Sequence, residues 1–258
     1  MRTITTIMLS SLSDLKRYYR DYLTLLTIPF LFLMLFSIIS EYNLFQTSEV
    51  RLKLSEADEL EEAIYFSLGF SLTDVMVFLI TIYFQFGFAF LVHKITLGKA
   101  AGLHIVDGLV WRKKHLLFIK KIFLFSVLFY LVGLALFPVL SSVTMITAMM
   151  LQSYSVTISM VIIFLLLLPF LYFMSRISLV LPAAANNEDL SLRDAFHLSK
   201  NYGWAIMLTT FVFTIVIDNV SSWMLHVKYV DVFIYNISLF VGIVLLTNCY
   251  KFIKNKQL

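Results

Sequence analysis

SRISLVLPAAANNEDLSLRDAFHLSKNYGW, residues 175–204, separates two long apolar runs and is made of different material. Arg176 closes the preceding run, and Pro182, which removes a backbone donor and crowds the turn before it, is expected to end that helix. Asn186-Asn187-Glu188-Asp189 reads as a turn, after which Ser191 and Asp194 stand at capping-box spacing. Leu192, Ala195, Phe196 and Ser199 share one helical face, and Arg193, His197 and Lys200 occupy others. The pattern predicts a short amphipathic helix over 188–200, lying on a membrane surface between two transmembrane helices. Its apolar side would be buried in acyl chains or against the basic segment near residue 110. Arg176, Pro182 and Phe196 are the residues on which this geometry depends. The stretch holds no catalytic motif and implies an all-α, polytopic membrane protein.

Composition points the same way. Sixty per cent of the residues are hydrophobic and only 14% charged, which excludes an ordinary soluble domain. The formal charge of +4 is modest, and the basic residues border apolar runs instead of clustering on a polar face, so nucleic acid is not an expected partner. One cysteine, Cys249, permits no internal disulfide. Lys16, Arg17 and Arg20 precede the first apolar run, but no small-residue cleavage site follows it, so no cleavable signal peptide is expected.

Residues 1–20 carry Ile4, Ile7, Met8, Leu12, Leu15 and Tyr19 at helical spacing, an interfacial helix leading into the bilayer. Tyr22–Ser40 is free of charge and close to the roughly 20 residues that cross a hydrocarbon core, with Pro29 expected to kink it. Residues 41–73 are acidic and read as a solvated outer loop, since their carboxylates lack the spacing of a calcium loop. Val75–Val92 is a second span, and Lys99–Lys121 a basic surface segment with Arg112, Lys113 and Lys114 at its centre. From Ile122 to Ser175 no residue is charged, a run of 54, too long for one span. Pro138, Ser141, Ser142 and the polar group 152–155 divide it into spans near 117–137 and 156–175, while 145–151 reads equally as helix or as a re-entrant piece. A fifth span over 204–224 and a sixth over 232–250 complete a single domain, 1–258.

Seventeen of the twenty Lys and Arg residues then fall on one side and only Arg51, Lys53 and Lys228 on the other. By the positive-inside rule both termini are cytoplasmic. A shift of 87 residues superposes Leu103 on Leu190, Ile105 on Leu192, Asp107 on Asp194 and Lys113 on Lys200, the trace of two repeats in the same orientation.

Chemistry is sparse. The five histidines have no metal-ligand spacing, and there is no GxSxG, Walker or GxGxxG motif, so no catalytic residue, metal or cofactor is expected. His104 and Asp107 would make an acid/base pair only in a loop that otherwise reads as interfacial. Gln85, Asp218, Asn219 and Asn236 are polar groups inside spans, which need partners because an unpaired one costs several kcal/mol. They either join helix to helix or, for Asp218, Asn219 and Asn236, line a small polar cavity. Arg112, Lys113, Lys114, Lys120 and Lys121 form a juxtamembrane basic cluster that attracts anionic lipid head groups by about 1 kcal/mol per charge. Membrane lipids are therefore the expected partners, with a membrane protein as a second class.

Arg176, the LVLPAAA run over 179–185, SLRDAFHLSK over 191–200 and Trp204 together resemble the YciC-like family of bacterial inner-membrane proteins. That family is related in pattern to the membrane domain of some glycerophosphodiester phosphodiesterases. The N-terminal amphipathic helix, the Gly- and base-rich segment after the second span and the short basic tail resemble it too. The resemblance implies a multi-pass protein of the bacterial cytoplasmic membrane without an established activity. The phosphodiesterase barrel and its histidine-arginine motif have no counterpart in this sequence, so hydrolysis is not implied. The non-enzymatic expectation is a role in membrane or lipid organisation or as a scaffold for a partner protein. The alternative is a carrier with the polar groups of spans five and six lining its cavity.

Overall fold

The computed structural model describes residues 2–55, 72–150, 155–212, 216 and 230–257, and among them it is helical without a strand. Five stretches are long and apolar enough to cross a membrane: Tyr19–Ile39, Val75–Thr96, Leu116–Ser142, Leu165–Ala185 and Val232–Lys256. Helices suit such sequences because hydrocarbon offers no partner to backbone N–H and C=O groups, and a helix satisfies them internally.

Helix α1, Arg2–Arg17, buries Ile7, Ser11 and Asp14 on one face and leaves Leu9 and Leu12 exposed on the other. Lys16 and Arg17 in its last turn complement the helix dipole. After a bend at Tyr18 the chain continues as α2, Tyr19–Ser55, so an amphipathic helix does precede the first apolar one. Helix α3 is Leu72–Thr96, and the basic segment after it holds two 3-10 turns, Ile105–Gly108 and Lys113–His115. Then come α4, Leu116–Met150; α5, Ser155–Ile177; α6, Val180–Ala185; and α7, Leu192–Leu198. Helix α8, Gly203–Met207, passes into a π-helical stretch, Leu208–Val212, and α9 is Val230–Gln257.

Several boundaries differ from the expected ones. Residues 41–55 of the expected acidic loop are the end of α2, and 56–71 lie outside the described residues. Pro138 does not close a span. Helix α4 continues through it to Met150, with the Ser141 and Ser142 hydroxyls donating back to the Pro138 carbonyl. The open choice at 145–151 thus resolves as helix as far as Met150. Apolar helices tolerate proline where neighbouring groups and local adjustments re-satisfy the backbone carbonyl that it leaves without a donor. Of the expected fifth span, 213–215 and 217–224 lie outside the described residues.

The core is a three-helix packing of α2, α3 and α9 held by aromatic rings. Phe30 meets Phe88 at 5.9 Å and Phe233 at 6.2 Å, and Phe240 meets Tyr22 at 5.3 Å and Phe88 at 6.3 Å. Phe32 and Phe36 stack on Phe84 at 5.3 and 5.2 Å. Such ring pairs add about 0.5–1.5 kcal/mol each beyond the area they bury. Helix α4 packs beside α5, where Phe129 meets Phe170 at 5.2 Å, but leaves Phe123, Tyr130 and Phe137 exposed.

Candidate functional site

The basic segment does not lie flat at the Thr96 end of α3. It folds back along that helix as a strap. Gly108 sits against Gly87 so closely that a Cβ on Gly87 would stand 2.1 Å from the Gly108 carbonyl oxygen. A Cβ on Gly108 would meet Leu91 at 2.5 Å and Pro29 at 2.9 Å. Only two glycines permit this wedge of backbone between α2 and α3. Farther on, Trp111 stacks on Tyr83 at 4.4 Å and lies 6.1 Å from Phe86, and its backbone N–H donates to the Tyr83 hydroxyl at 3.3 Å. Tyr83 is thirteen residues before Thr96, about 20 Å along the helix at 1.5 Å per residue. The chain then returns, with His115 edge-on to Phe90 at 4.3 Å and Phe118 meeting Phe90 and His93.

This placement locates the residues of the expected basic cluster. Arg112 and Lys113, both exposed, flank the Trp111–Tyr83 stack partway along α3 instead of marking its end. Arg112 keeps a 3.9 Å contact with Asp107, a fully buried carboxylate that also accepts from the His104 N–H at 2.9 Å. Asp107 therefore staples the turn, and His104 engages it through the backbone, not as an acid/base pair. Lys114 belongs to the second 3-10 turn, and Lys120 is exposed on α4. Lys121 is buried and pairs with Asp189 at 2.6 Å, which joins α4 to the turn before α7.

In the 175–204 stretch the local reading holds and the long-range one changes. Helix α5 ends at Ile177, where the Ser175 and Ser178 hydroxyls donate to the Tyr172 and Ser175 carbonyls. Pro182 does not end it. The break is already made at Ser178–Leu179, and Pro182 stands in the first turn of α6, where an absent N–H costs no helical bond. Asn187, with φ 64°, carries the chain out of α6; the Asn187 N–H donates to Ala184 O at 3.0 Å and the Glu188 N–H to Ala183 O at 2.9 Å. These are the two bonds of a left-handed helix stop. Helix α7 begins at Ser191, whose hydroxyl accepts from the Asp194 N–H at 3.1 Å. The two repeat carboxylates, Asp107 and Asp194, occupy the same third position of their short helices.

Half-buried Phe196 packs against Phe173 at 5.7 Å and against Arg176. The Arg176 guanidinium lies over the Phe196 ring, 3.4 Å from the centroid, and over the Tyr172 ring at 5.4 Å. Arg176, 6% exposed, donates through Nη2 to the Phe196 carbonyl and through Nε to Ser199 Oγ at 3.1 Å. Arg176 and Phe196 were each singled out, and the structure makes them one clasp.

Two carboxylates tie the turn to other helices. The Tyr250 hydroxyl donates to Glu188 Oε2 at 2.6 Å, and Lys254 and Asn186 bond Oε1. Partial burial pushes the Glu188 carboxyl up, but the bonds from Lys254, Tyr250 and Asn186 outweigh it and hold the group below its ordinary range. Lys121 holds the open Asp189 carboxyl below its ordinary range by a hydrogen bond and by its charge. A depressed carboxylate stabilises the fold above its unfolded pKa of about 4.3 and loses that contribution as the pH falls through its folded value. Detergent-solubilised protein should therefore keep a constant melting temperature near neutrality and lose stability in acid. Glu188→Gln should remove part of that loss, by no more than about 1 kcal/mol, because the pair is exposed enough to be screened.

Sequence reasoning missed the polar stitches between the core helices. Tyr22 and Thr96 share a hydrogen bond at 2.7 Å, as do His93 and Thr247, both buried. Lys251 pairs with Asp14 at 2.6 Å and donates to the Thr96 carbonyl. The available signal was Asp14, the lone carboxylate on the apolar side of α1, but its partner is 237 residues away. Asn236 is fully buried, its Nδ2 donating to Val232 O at 2.8 Å while Oδ1 has no partner among the described residues. Asp218 and Asn219 lie outside the described residues, and Gln85 is half-buried on α3. No group of three metal-ligating side chains occurs among the described residues.

Helices of this length and apolarity, folded around a strap and a clasped surface helix, fit a multi-pass membrane protein. No family model, curated protein or solved structure matches the chain.

Proposed function

We propose that this protein is a non-enzymatic, six-span protein of a bacterial cytoplasmic membrane, with both termini inside, that organises anionic lipid. The observation carrying this reading is the strap. It presents Arg112 and Lys113 on the outer surface of the bundle beside an aromatic pair, with Lys120 exposed on the following helix. Arginine and lysine set partway along an apolar helix reach the head groups by extending their long side chains, and each charge near anionic lipid is worth about 1 kcal/mol. The resemblance of residues 176–204 to the YciC-like family supports the location, and the bias of basic residues supports the orientation. A membrane protein docked on the same exposed apolar surface of α4 is a further partner class.

The topology is tested by reporters fused after Ser55, Gly102, Gln152, Leu190 and Lys228, which should read outside, inside, outside, inside, outside. A cytoplasmic reading at Ser55 refutes it. Lipid organisation is tested in nanodiscs of phosphatidylglycerol and phosphatidylcholine. Wild-type protein should retain a phosphatidylglycerol-enriched shell after dilution into detergent, and changing Arg112, Lys113 and Lys120 to glutamine should abolish the enrichment. A wild-type shell of bulk composition overturns the reading.

The partnerless Oδ1 of buried Asn236 favours one other reading, a carrier with Asn236, Asp218 and Asn219 lining its path. Solute uptake into reconstituted vesicles that Asp218→Ala abolishes, with folding intact, would place it first.

A further inference from the structure

A hollow of about 270 Å³ runs between α2 and α9, walled by Tyr22, Leu26, Phe30, Phe88, Ile237 and Phe240. Its two hydroxyls are already engaged, Tyr22 with Thr96 Oγ1 and Thr27 with the Leu23 carbonyl. The groove thus offers an occupant apolar surface alone. Along α2 it extends from Leu23 to Leu31, about 12 Å of helix. Arg20 precedes Leu23 by three residues and Thr27 by seven, so it continues the same exposed stripe at the mouth of the groove. Its Nε donates to the Tyr19 hydroxyl at 2.9 Å, which steadies the guanidinium. Exposed Lys16 and Arg17 end α1 one turn away. Of the nearby carboxylates, Asp14 is paired with Lys251 and Asp21 is half-buried, whereas Arg20 is exposed.

We propose that this groove is a binding site for one anionic phospholipid, an acyl chain lying against Leu26, Phe30 and Phe240 and the phosphate on Arg20. The assignment rests on the lipid-organising role proposed above but uses none of the strap's residues. An uncharged apolar occupant leaves exposed Arg20 at the mouth unmatched, whereas a phospholipid matches both the dry groove and the charge at its rim.

Native mass spectrometry of protein taken from nanodiscs of phosphatidylglycerol and phosphatidylethanolamine tests it. Wild-type protein should leave as a monomer with one retained lipid, phosphatidylglycerol preferred about fivefold for the charge at Arg20. Arg20→Gln should keep the lipid and lose the preference. Thr27→Trp and, independently, Leu31→Trp should fill the groove and expel lipid of either kind, while melting temperatures report that the variants are folded. No retained lipid on the wild type, retention unchanged in all three variants, or a dimer that Thr27→Trp splits would each overturn the proposal. Enrichment that depends on Arg112 and Lys113 is untouched by these changes, so the two readings fail separately.

Discussion

Gly87→Ala is expected to destabilise the protein, reversing the usual sign of that substitution. Inside a helix alanine is ordinarily favoured over glycine by about 1 kcal/mol. At Gly87 the new methyl would stand 2.1 Å from a carbonyl oxygen of the strap, an atom of backbone that cannot rotate aside. Either α3 and the strap part or the helix bends, and overpacking of this kind costs about 1–3 kcal/mol. Gly133→Ala is the control within the same molecule. Gly133 lies in α4 with nothing within 4 Å of its added Cβ, so it should gain about 1 kcal/mol. Melting both variants in one detergent reads the difference. If Gly87→Ala melts above wild type, the strap does not fold back between α2 and α3.

Arg176→Met should be the more damaging change, at about 3.5 kcal/mol or more. Its two hydrogen bonds come from a charged donor, each worth about 1.5–3 kcal/mol, and its stacking on Phe196 adds about 0.5–2 kcal/mol. Methionine preserves the apolar stem, so the loss isolates the guanidinium. Helix α7 is only seven residues long and far below the length at which an isolated helix persists in water, so loss of the clasp should release it. Limited proteolysis should then cut between residues 186 and 201 at a rate that His197→Ala, an exposed position, does not reproduce. Equal resistance in wild type and Arg176→Met would show that α7 is held by something else.

What could be read from the sequence was local. The all-helical character follows from apolar runs too long for any other membrane-compatible element. The turn at Asn187 and the cap at Ser191 need only neighbouring residues. Arg176 and Phe196 stood out separately, but the clasp between them joins two helices across twenty residues, which no periodicity reports. Lys121 shows the same limit, since a lysine in a basic run looks like surface until Asp189 is brought beside it. The strap was hidden for a different reason. An amphipathic basic segment has one pattern whether it lies flat or folds back, and only the pairing of Gly87 with Gly108 distinguishes the two. Pro138 misled because a single proline can be absorbed within a long apolar helix, and that helix runs on to Met150.

The strap also gives the molecule two unequal flanks. Along α2 the apolar stretch begins just beyond Arg20, whereas beside α3 the Trp111–Tyr83 pair and exposed Arg112 and Lys113 interrupt it some 20 Å from Thr96. In a bilayer the lipid on that second flank has a shorter hydrophobic wall to cover. Such mismatch costs fractions of a kcal/mol per ångström, relieved by local thinning or by short-chain lipids. Placed in a bilayer, a protein shaped in this way would ask for a different hydrocarbon thickness on each of its two flanks.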